Sequence, residues 1–394
     1  MGLLFLINFI MIINEIVLKI TSKCNLSCKY CYVYNKGDTS YVNEPHVISD
    51  DIIVKLLQKL NYYCELHKLN NFFIVFHGGE PLLAGHKFYE KFISLSNKIV
   101  KYTKVGYALQ TNGTLLTEEW CNLLKDLNIH VGISIDGNRN TSINRIFKNN
   151  MEAYDKIIAG YNIAKQVIGD TSILSVINTS VNVTTHYQFL KLLNVSFMDC
   201  LFPNATYEKL DTNAVNLGKW LCDLFDLWYF DDDNNKPAIR IFNTIINIIL
   251  GNEYDGNEMF GRKYNGVITI KPNGNIESVD TLKICGNGFT KTKHNIMTDA
   301  LDSINKTNLY YIYYNAHQDC ILCDKCKKCI IKEICGGSKL PHRFSIINGF
   351  DNPSVYCKDL FLLITHIQNT LIDDLPKELI EKTQIQKLSN NDYN

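Results

Sequence analysis

The chain has 394 residues, 46% of them apolar and 11% aromatic, enough for a sizeable core and too much for a disordered protein. Forty Lys and Arg balance forty Asp and Glu, so no net field draws the chain to nucleic acid or anionic lipid. Fourteen cysteines, eight of them in two tight groups, point to metal ligation rather than to a short secreted disulfide scaffold.

The first thirteen residues, MGLLFLINFIMII, are apolar but lack the basic start and cleavage site of a secretory signal. They are also shorter than the about twenty residues that cross a bilayer, so no membrane anchor is expected. Met11 is an alternative start, because residues 15–21 already read as a strand. Directly after it comes Cys24-Asn-Leu-Ser-Cys28-Lys-Tyr30-Cys31. Three thiolates in one loop can hold three irons of a [4Fe–4S] cube and leave the fourth iron open to a small ligand. A zinc loop is the competing reading, although zinc sites usually join CX2C to a second pair.

Strand-like and helix-like runs alternate to about residue 205. Further strands are expected at 71–77, 104–111, 130–135, 172–178 and 195–202, and helices at 50–69, 87–102 and 153–167. The alternation predicts βαβ units and a parallel sheet. Six strands with polar or glycine residues at their C-terminal ends predict an α/β fold, a partial (β/α)6 barrel of the TIM type, with chemistry at those ends. Residues 212–251 read as helical, with Trp220, Leu224, Phe225 and Trp228 on a core face. Asn273-Gly274 marks a hairpin turn within 267–277. The expected division is an apolar extension 1–14, a barrel 15–210, a helical bridge 211–264, a cysteine-rich domain 265–372 and a polar, frayed tail 373–394.

At the second strand's end lies His77-Gly78-Gly79-Glu80-Pro81. Glycines there admit close approach of a ligand amine, and Glu80 offers an acceptor. With CX3CX2C and Tyr30 before its last cysteine, this run resembles the radical S-adenosylmethionine (SAM) superfamily. The resemblance implies that Cys24, Cys28 and Cys31 hold a [4Fe–4S] cluster whose open iron chelates SAM. Reductive cleavage then gives a 5′-deoxyadenosyl radical. It also implies SAM contacts from Tyr30, Gly78, Gly79, Glu80, Asn112, Ser134 and Arg145, with Leu201 bordering the adenine. Low-potential clusters of this kind are oxygen-sensitive, so a cytoplasmic location is expected.

Cys326, Cys329 and Cys335, spaced CX2CX5C, with Cys357 beyond, resemble the SPASM extension of radical SAM peptide maturases. Complete SPASM domains carry CX9–15GX4C, then CX2CX5CX3C, then one more cysteine. Here Val279 stands where the GX4C cysteine would follow Gly274, no cysteine lies nine to fifteen residues upstream of Gly274, and Lys339 replaces the CX3C partner. All three missing positions belong to the first auxiliary cluster. The resemblance therefore implies one auxiliary [4Fe–4S] cluster, on Cys326, Cys329, Cys335 and Cys357. Cys285, Cys320 and Cys323 leave a further cluster open. Asp280 occupies the position of a proton acceptor, which a raised pKa would suit; a turn-forming role is the alternative. His342 and Arg343 either orient a peptide or cap the cluster loop.

The stretches 201–207, 336–345 and 348–360 are similar to the SPASM maturases that form three-residue cyclophanes. The expected function is therefore a C–C crosslink between an aromatic side chain and a nearby β-carbon of a ribosomally made precursor peptide. Thioether crosslinking, epimerisation and sulfatase maturation stand second, the last because its members resemble the complete seven-cysteine form. A zinc-stabilised binding protein without turnover stands third. Expected partners are the precursor peptide and an electron donor such as flavodoxin or ferredoxin.

Overall fold

The computed structural model describes residues 11–210, 214–252, 256–374, 376–383 and 386–393. Residues 1–10 of the apolar extension lie outside the described residues. Strands and helices alternate from the start: β1 Glu15–Thr21, α1 Asp50–Leu66, β2 Asn71–Gly78, α2 His86–Ile99, β3 Lys104–Thr111 and α3 Glu118–Asp126. The series continues with β4 Ile129–Ser134, α4 Tyr154–Val167, β5 Ser172–Val176, α5 Val183–Leu192 and β6 Phe197–Leu201. These six strands lie side by side in chain order, and every neighbouring pair is parallel. The expected partial barrel is present.

Strand parity decides what faces where. On β2, Phe72, Ile74 and Phe76 are fully buried beneath the helices, each contributing about 1.5–3 kcal/mol. The other parity, Glu15 and Lys19 on β1 with Phe73 and His77 on β2, faces the lumen. Side-chain caps fix several helix starts: Thr117 accepts from the Trp120 amide at α3, and Asn182 from the Thr185 amide at α5.

The 212–251 region is two helices, α6 Leu217–Tyr229 and α7 Arg240–Ile249, with the two-residue strand β7 Ala238–Ile239 pairing parallel to β6. Pro237, which lacks an amide hydrogen, and the Asp233–Asn235 turn explain the break. Trp220, Leu224, Phe225 and Trp228 are buried as expected. The hairpin forms as β8 Val267–Ile270 and β9 Ile276–Glu277, turning at Gly274 with φ +83°. β8 also pairs parallel with β1, so the sheet runs β7-β6-β5-β4-β3-β2-β1-β8-β9.

Short helices α8 Asn308–Tyr314, α9 Asp324–Lys327 and α10 Lys332–Cys335 punctuate the cysteine-rich loops before α11 Cys357–Asp374. α11 clamps onto α6, where the Gly218 amide donates to Asp359 Oδ1 at 2.7 Å. A Cβ at Gly218 would lie 2.7 Å from Asp359 Cα. Among the described residues of the tail, α12 Lys377–Thr383 follows α11, and the Tyr393 ring packs edge-on against Phe361 at 5.2 Å. Among the described residues, no helix is long and apolar enough to cross a membrane.

Candidate active site

The loop carrying Cys24, Cys28 and Cys31 leaves the C-terminal end of β1 and is held by the end of β2. The Gly79 amide donates to Thr21 O at 3.1 Å, and the Glu80 amide to Lys23 O at 2.8 Å. A Cβ on Gly79 would lie 2.1 Å from Lys23 O and 2.3 Å from Tyr34 Oη. One on Gly78 would lie 2.5 Å from Thr21 O. The close approach that requires these glycines is made by the protein's own chain.

Glu80 sits at the same strand end. It is fully buried, and its Oε1 accepts from the Leu82 amide and Thr111 Oγ1, its Oε2 from the Asn112 amide at 2.8 Å. Burial raises its pKa to about 7 against those three donors. Its carboxylate ties the end of β2 to the end of β3. Asn112 continues the tie, donating through Nδ2 to Asn25 Oδ1 at 2.8 Å inside the cysteine loop.

Arg145 was expected to grip a ligand carboxylate; its fork is occupied by Asp136, a residue the sequence reading did not single out. Nε lies 3.0 Å from Oδ2 and Nη2 3.2 Å from Oδ1, with both side chains buried. A buried guanidinium needs a buried anion, and the bidentate carboxylate supplies it. Tyr30 Oη donates to Asp136 Oδ2 at 2.5 Å, and the Arg145 guanidinium lies 5.4 Å from the Tyr30 ring centroid. The Val176 amide donates to Asp136 Oδ1 at 3.1 Å, which ties the β5 end to this network. Ser134 Oγ, at the end of β4, accepts from Gln110 Nε2 at 2.9 Å. Tyr30 and Asp136 share a narrow recess with Asn178 and Pro203. Leu201 instead faces the wall of a larger cavity.

Asp280 opens the 3-10 turn Asp280–Cys285 and is 4% exposed. It ion-pairs with Lys19 and is hydrogen-bonded by the Tyr32 phenol, next to Cys31. Lys19 Nζ also lies 3.2 Å from His77 Nδ1. The carboxyl was expected to have a raised pKa. Burial does push it up, but the charges of Lys19, His77 and Lys283 outweigh burial and hold it well below the usual carboxylate range. Lys19, Tyr32 and Asp136 join the site in the structure, although the sequence did not single them out. A lysine on the lumen parity of β1 was the available signal for Lys19.

In the C-terminal region, Cys326, Cys329, Cys335 and Cys357 are free thiols within electrostatic reach of one another. Cys323 joins them through a side-chain hydrogen bond with Cys326. Cys285 instead neighbours Lys209 and Glu208, and exposed Cys320 neighbours Tyr311. Arg343 is fully buried and bonded to the carbonyls of Ala316 (2.7 Å), Ile321 (2.6 Å) and Phe350 (3.2 Å). It therefore caps the cysteine loop. His342 is fully buried between Phe202 and Tyr356 and faces no open space.

The donor sets suit iron–sulfur clusters. Cys24, Cys28 and Cys31 are free, half-buried thiols that feel one another's charge, and the Arg145 cation acts on Cys28. Among the described residues, Arg343 has no ion pair with a carboxylate and its Nε has no hydrogen-bond partner; its neighbouring charges are Cys326, Cys323, Cys335 and Asp351. A cation so buried is compensated when those sulfurs are thiolates, their state as cluster ligands. Among the described residues, no group of three or more Cys, His, Asp or Glu is arranged to hold a single metal ion.

Residues 18–193 match the Radical SAM superfamily. The chain is 26% identical over 388 residues to the serine-type anaerobic sulfatase-maturating enzyme of Bacteroides thetaiotaomicron, covering 91% of this chain and 90% of that protein. It is 31% identical over 243 residues to the cysteine-type anaerobic sulfatase-maturating enzyme of Clostridium perfringens, a match that spans 58% of this chain and 64% of that protein. Among solved structures, anSMEcpe with bound AdoMet superposes with a TM-score of 0.78 at 24% identity, covering 91% of this chain and 98% of that one. Streptococcus suis SuiB bound to precursor peptide SuiA gives 0.59 at 14%, covering 89% and 77%. The parallel partial barrel, the cysteine loop at its C-terminal end and these matches liken the chain to radical SAM enzymes, the family match covering residues 18–193, and that likeness implies S-adenosylmethionine and [4Fe–4S] clusters as cofactors.

Proposed function

We propose that this enzyme oxidises a side-chain β-carbon in a polypeptide, in the manner of the sulfatase-maturating enzymes it resembles. The observation that carries the reading is Asp280: an ionised, buried carboxylate tied by Tyr32 to the cysteine loop and backed by Lys19. In this reading Cys24, Cys28 and Cys31 ligate the cluster that works with SAM. Cys326, Cys329, Cys335 and Cys357 ligate one auxiliary cluster.

The chemistry supplied by the bound cluster and SAM together is removal of one hydrogen atom from a substrate carbon. Completing the oxidation requires loss of one more electron and one proton. Asp280, ionised throughout the neutral range, accepts the proton. Lys19 holds it ionised, and Tyr32 fixes its direction against the cysteine loop. Cys326, Cys329, Cys335 and Cys357 would hold an auxiliary cluster, which would supply an acceptor for the electron. Tyr30, Asp136 and Arg145 set the position of the third cysteine relative to the ends of β4 and β5. Glu80 and Asn112 do the same from β2 and β3. A serine oxidised in this way becomes an aldehyde, and a cysteine becomes a thioaldehyde that water converts to the aldehyde with release of hydrogen sulfide. A flavodoxin- or ferredoxin-type protein supplies the first electron.

The departure at Val279 and Lys339 favours a second reading, in which the carbon radical attacks a nearby aromatic ring of a precursor peptide and forms a cyclophane. Co-expression with polypeptides encoded beside the gene, followed by mass spectrometry, tests both. A modified serine or crosslinked ring each loses two hydrogens, but only the aldehyde reacts with a hydrazide probe. An unmodified mass in every such polypeptide, with 5′-deoxyadenosine still released, refutes both readings.

A further inference from the structure

Two of the three positions that lack the first auxiliary cluster's cysteines border one cavity. The segment 259–265, nine to fifteen residues upstream of Gly274, contributes Met259, Lys263 and Tyr264 to its wall, and Lys339, in place of the CX3C cysteine, closes another side. Val279, in place of the GX4C cysteine, is buried in the core after β9. The cavity has a volume of about 480 Å³, within the range of small-ligand sites. It lies in the seam of the open barrel. Glu15 and Val267 line it from β1 and β8, and Asp199 and Leu201 from β6 on the opposite side.

Its lining is charged but balanced. Glu15, Asp199 and Glu258 face Arg240, Lys263 and Lys339, three of each sign. Asp199 is paired with Arg240, and Glu258 lies 3.7 Å from Lys339. The Glu15 carboxylate has no ion pair or side-chain hydrogen bond among the described residues, and burial followed by the charge of Glu258 raises its pKa. Partly exposed Phe73 and Tyr264 lie at the cavity's edge. At its inner end Thr281, next to Asp280, donates to Glu258 Oε1 at 3.5 Å.

We propose that this cavity, standing where a first auxiliary cluster would lie, is a substrate subsite for a short peptide segment with uncharged polar side chains. A segment entering here would have main-chain amides and carbonyls for both signs of wall charge, and Glu15 would accept from an N–H. A net charge on the segment would be desolvated among walls whose charges already cancel. The proposal rests on the reading that the substrate is a polypeptide. It places part of that polypeptide beside Asp280.

Isothermal titration of the anaerobic holoenzyme, loaded with SAM, tests it with three capped tetrapeptides: alternating Asn and Ser, all Lys, and all Glu. The neutral peptide is expected to bind at least about tenfold tighter than either charged one. Val267→Trp, which fills the seam, and Phe73→Ala, at its edge, are expected to weaken that binding, the first by about tenfold or more. Neither should change dithionite-driven release of 5′-deoxyadenosine, so loss of that release would count against the radical SAM reading and not against the subsite. Absence of binding, equal affinity for the three peptides, or wild-type affinity in both variants overturns the proposal.

Discussion

Replacing Lys19 with Met tests the buried pair at the centre of the site. The Lys19 and Asp280 side chains are 4% and 5% exposed, so the pair exchanges little with solvent. Two unit charges about 4 Å apart attract by about 4 kcal/mol at an effective dielectric of 20. Removing one member of a buried pair costs about 3–5 kcal/mol, because the survivor keeps its desolvation penalty. Lys283, the nearest other cation, is engaged by Asp38 at 2.8 Å and cannot substitute fully. The lower end, about 3 kcal/mol, is therefore expected for Lys19→Met in anaerobic urea unfolding. Asp280's folded pKa is depressed below its unfolded value of 3.8, so its stabilisation is present above that value and is lost as pH falls through the folded pKa. The deficit of the variant should shrink accordingly toward strong acid. Without Lys19, burial dominates and the Asp280 pKa rises, so the acid limb of substrate oxidation should move to higher pH while 5′-deoxyadenosine release keeps its profile. Lys19→Met with Asp280→Asn should be less destabilised than the sum of the single variants. A Lys19→Met protein within about 1 kcal/mol of wild type, with no coupling in the double variant, would refute this account of the pair.

Asp280→Asn alone should release 5′-deoxyadenosine but lose at least about a hundredfold in oxidised product, read by parallel chromatography of nucleoside and peptide. Gly79→Ala should displace Lys23 and Tyr34 and lower the iron bound at the cysteine loop, read by iron assay and by the cluster's electron paramagnetic resonance signal. His186 is buried, with its pKa lowered to about 4 by burial, so it is neutral in the fold and takes up a proton on unfolding below about 6.5. Stability should therefore fall as pH drops from 6.5 to 4, by about 1.4 kcal/mol per unit for this residue, and His186→Asn should flatten the slope. Cys335→Ser should reduce iron from about eight to about four per chain while leaving the SAM-cleaving cluster in place.

The barrel was legible because β1 to β6 alternate with helices in one continuous series and end in turn residues. The cysteine groups were legible because ligand spacing is local. What the sequence concealed were long-range pairings. Nothing near Arg145 announces that Asp136 would occupy its fork, and Asp280 lies 261 residues from Lys19. The expected rise in the Asp280 pKa followed burial alone; the sheet set a lysine opposite it by pairing β8 to β1. The fold's own crowding of glycines 78 and 79 by Thr21 and Lys23 is likewise invisible in a linear run. The break at 230–239 was missed because apolar periodicity continues on both sides of Pro237. Similarity to the sulfatase-maturating enzymes moved the functional reading from ring crosslinking, expected first, toward oxidation of a single side chain.

The reconstituted, oxygen-free protein should convert SAM to 5′-deoxyadenosine and methionine when dithionite is added, and the protein with Cys24, Cys28 and Cys31 all changed to Ala should not. Equal nucleoside yields from the two proteins, or none from the intact one with its iron in place, would contradict the assignment of that loop.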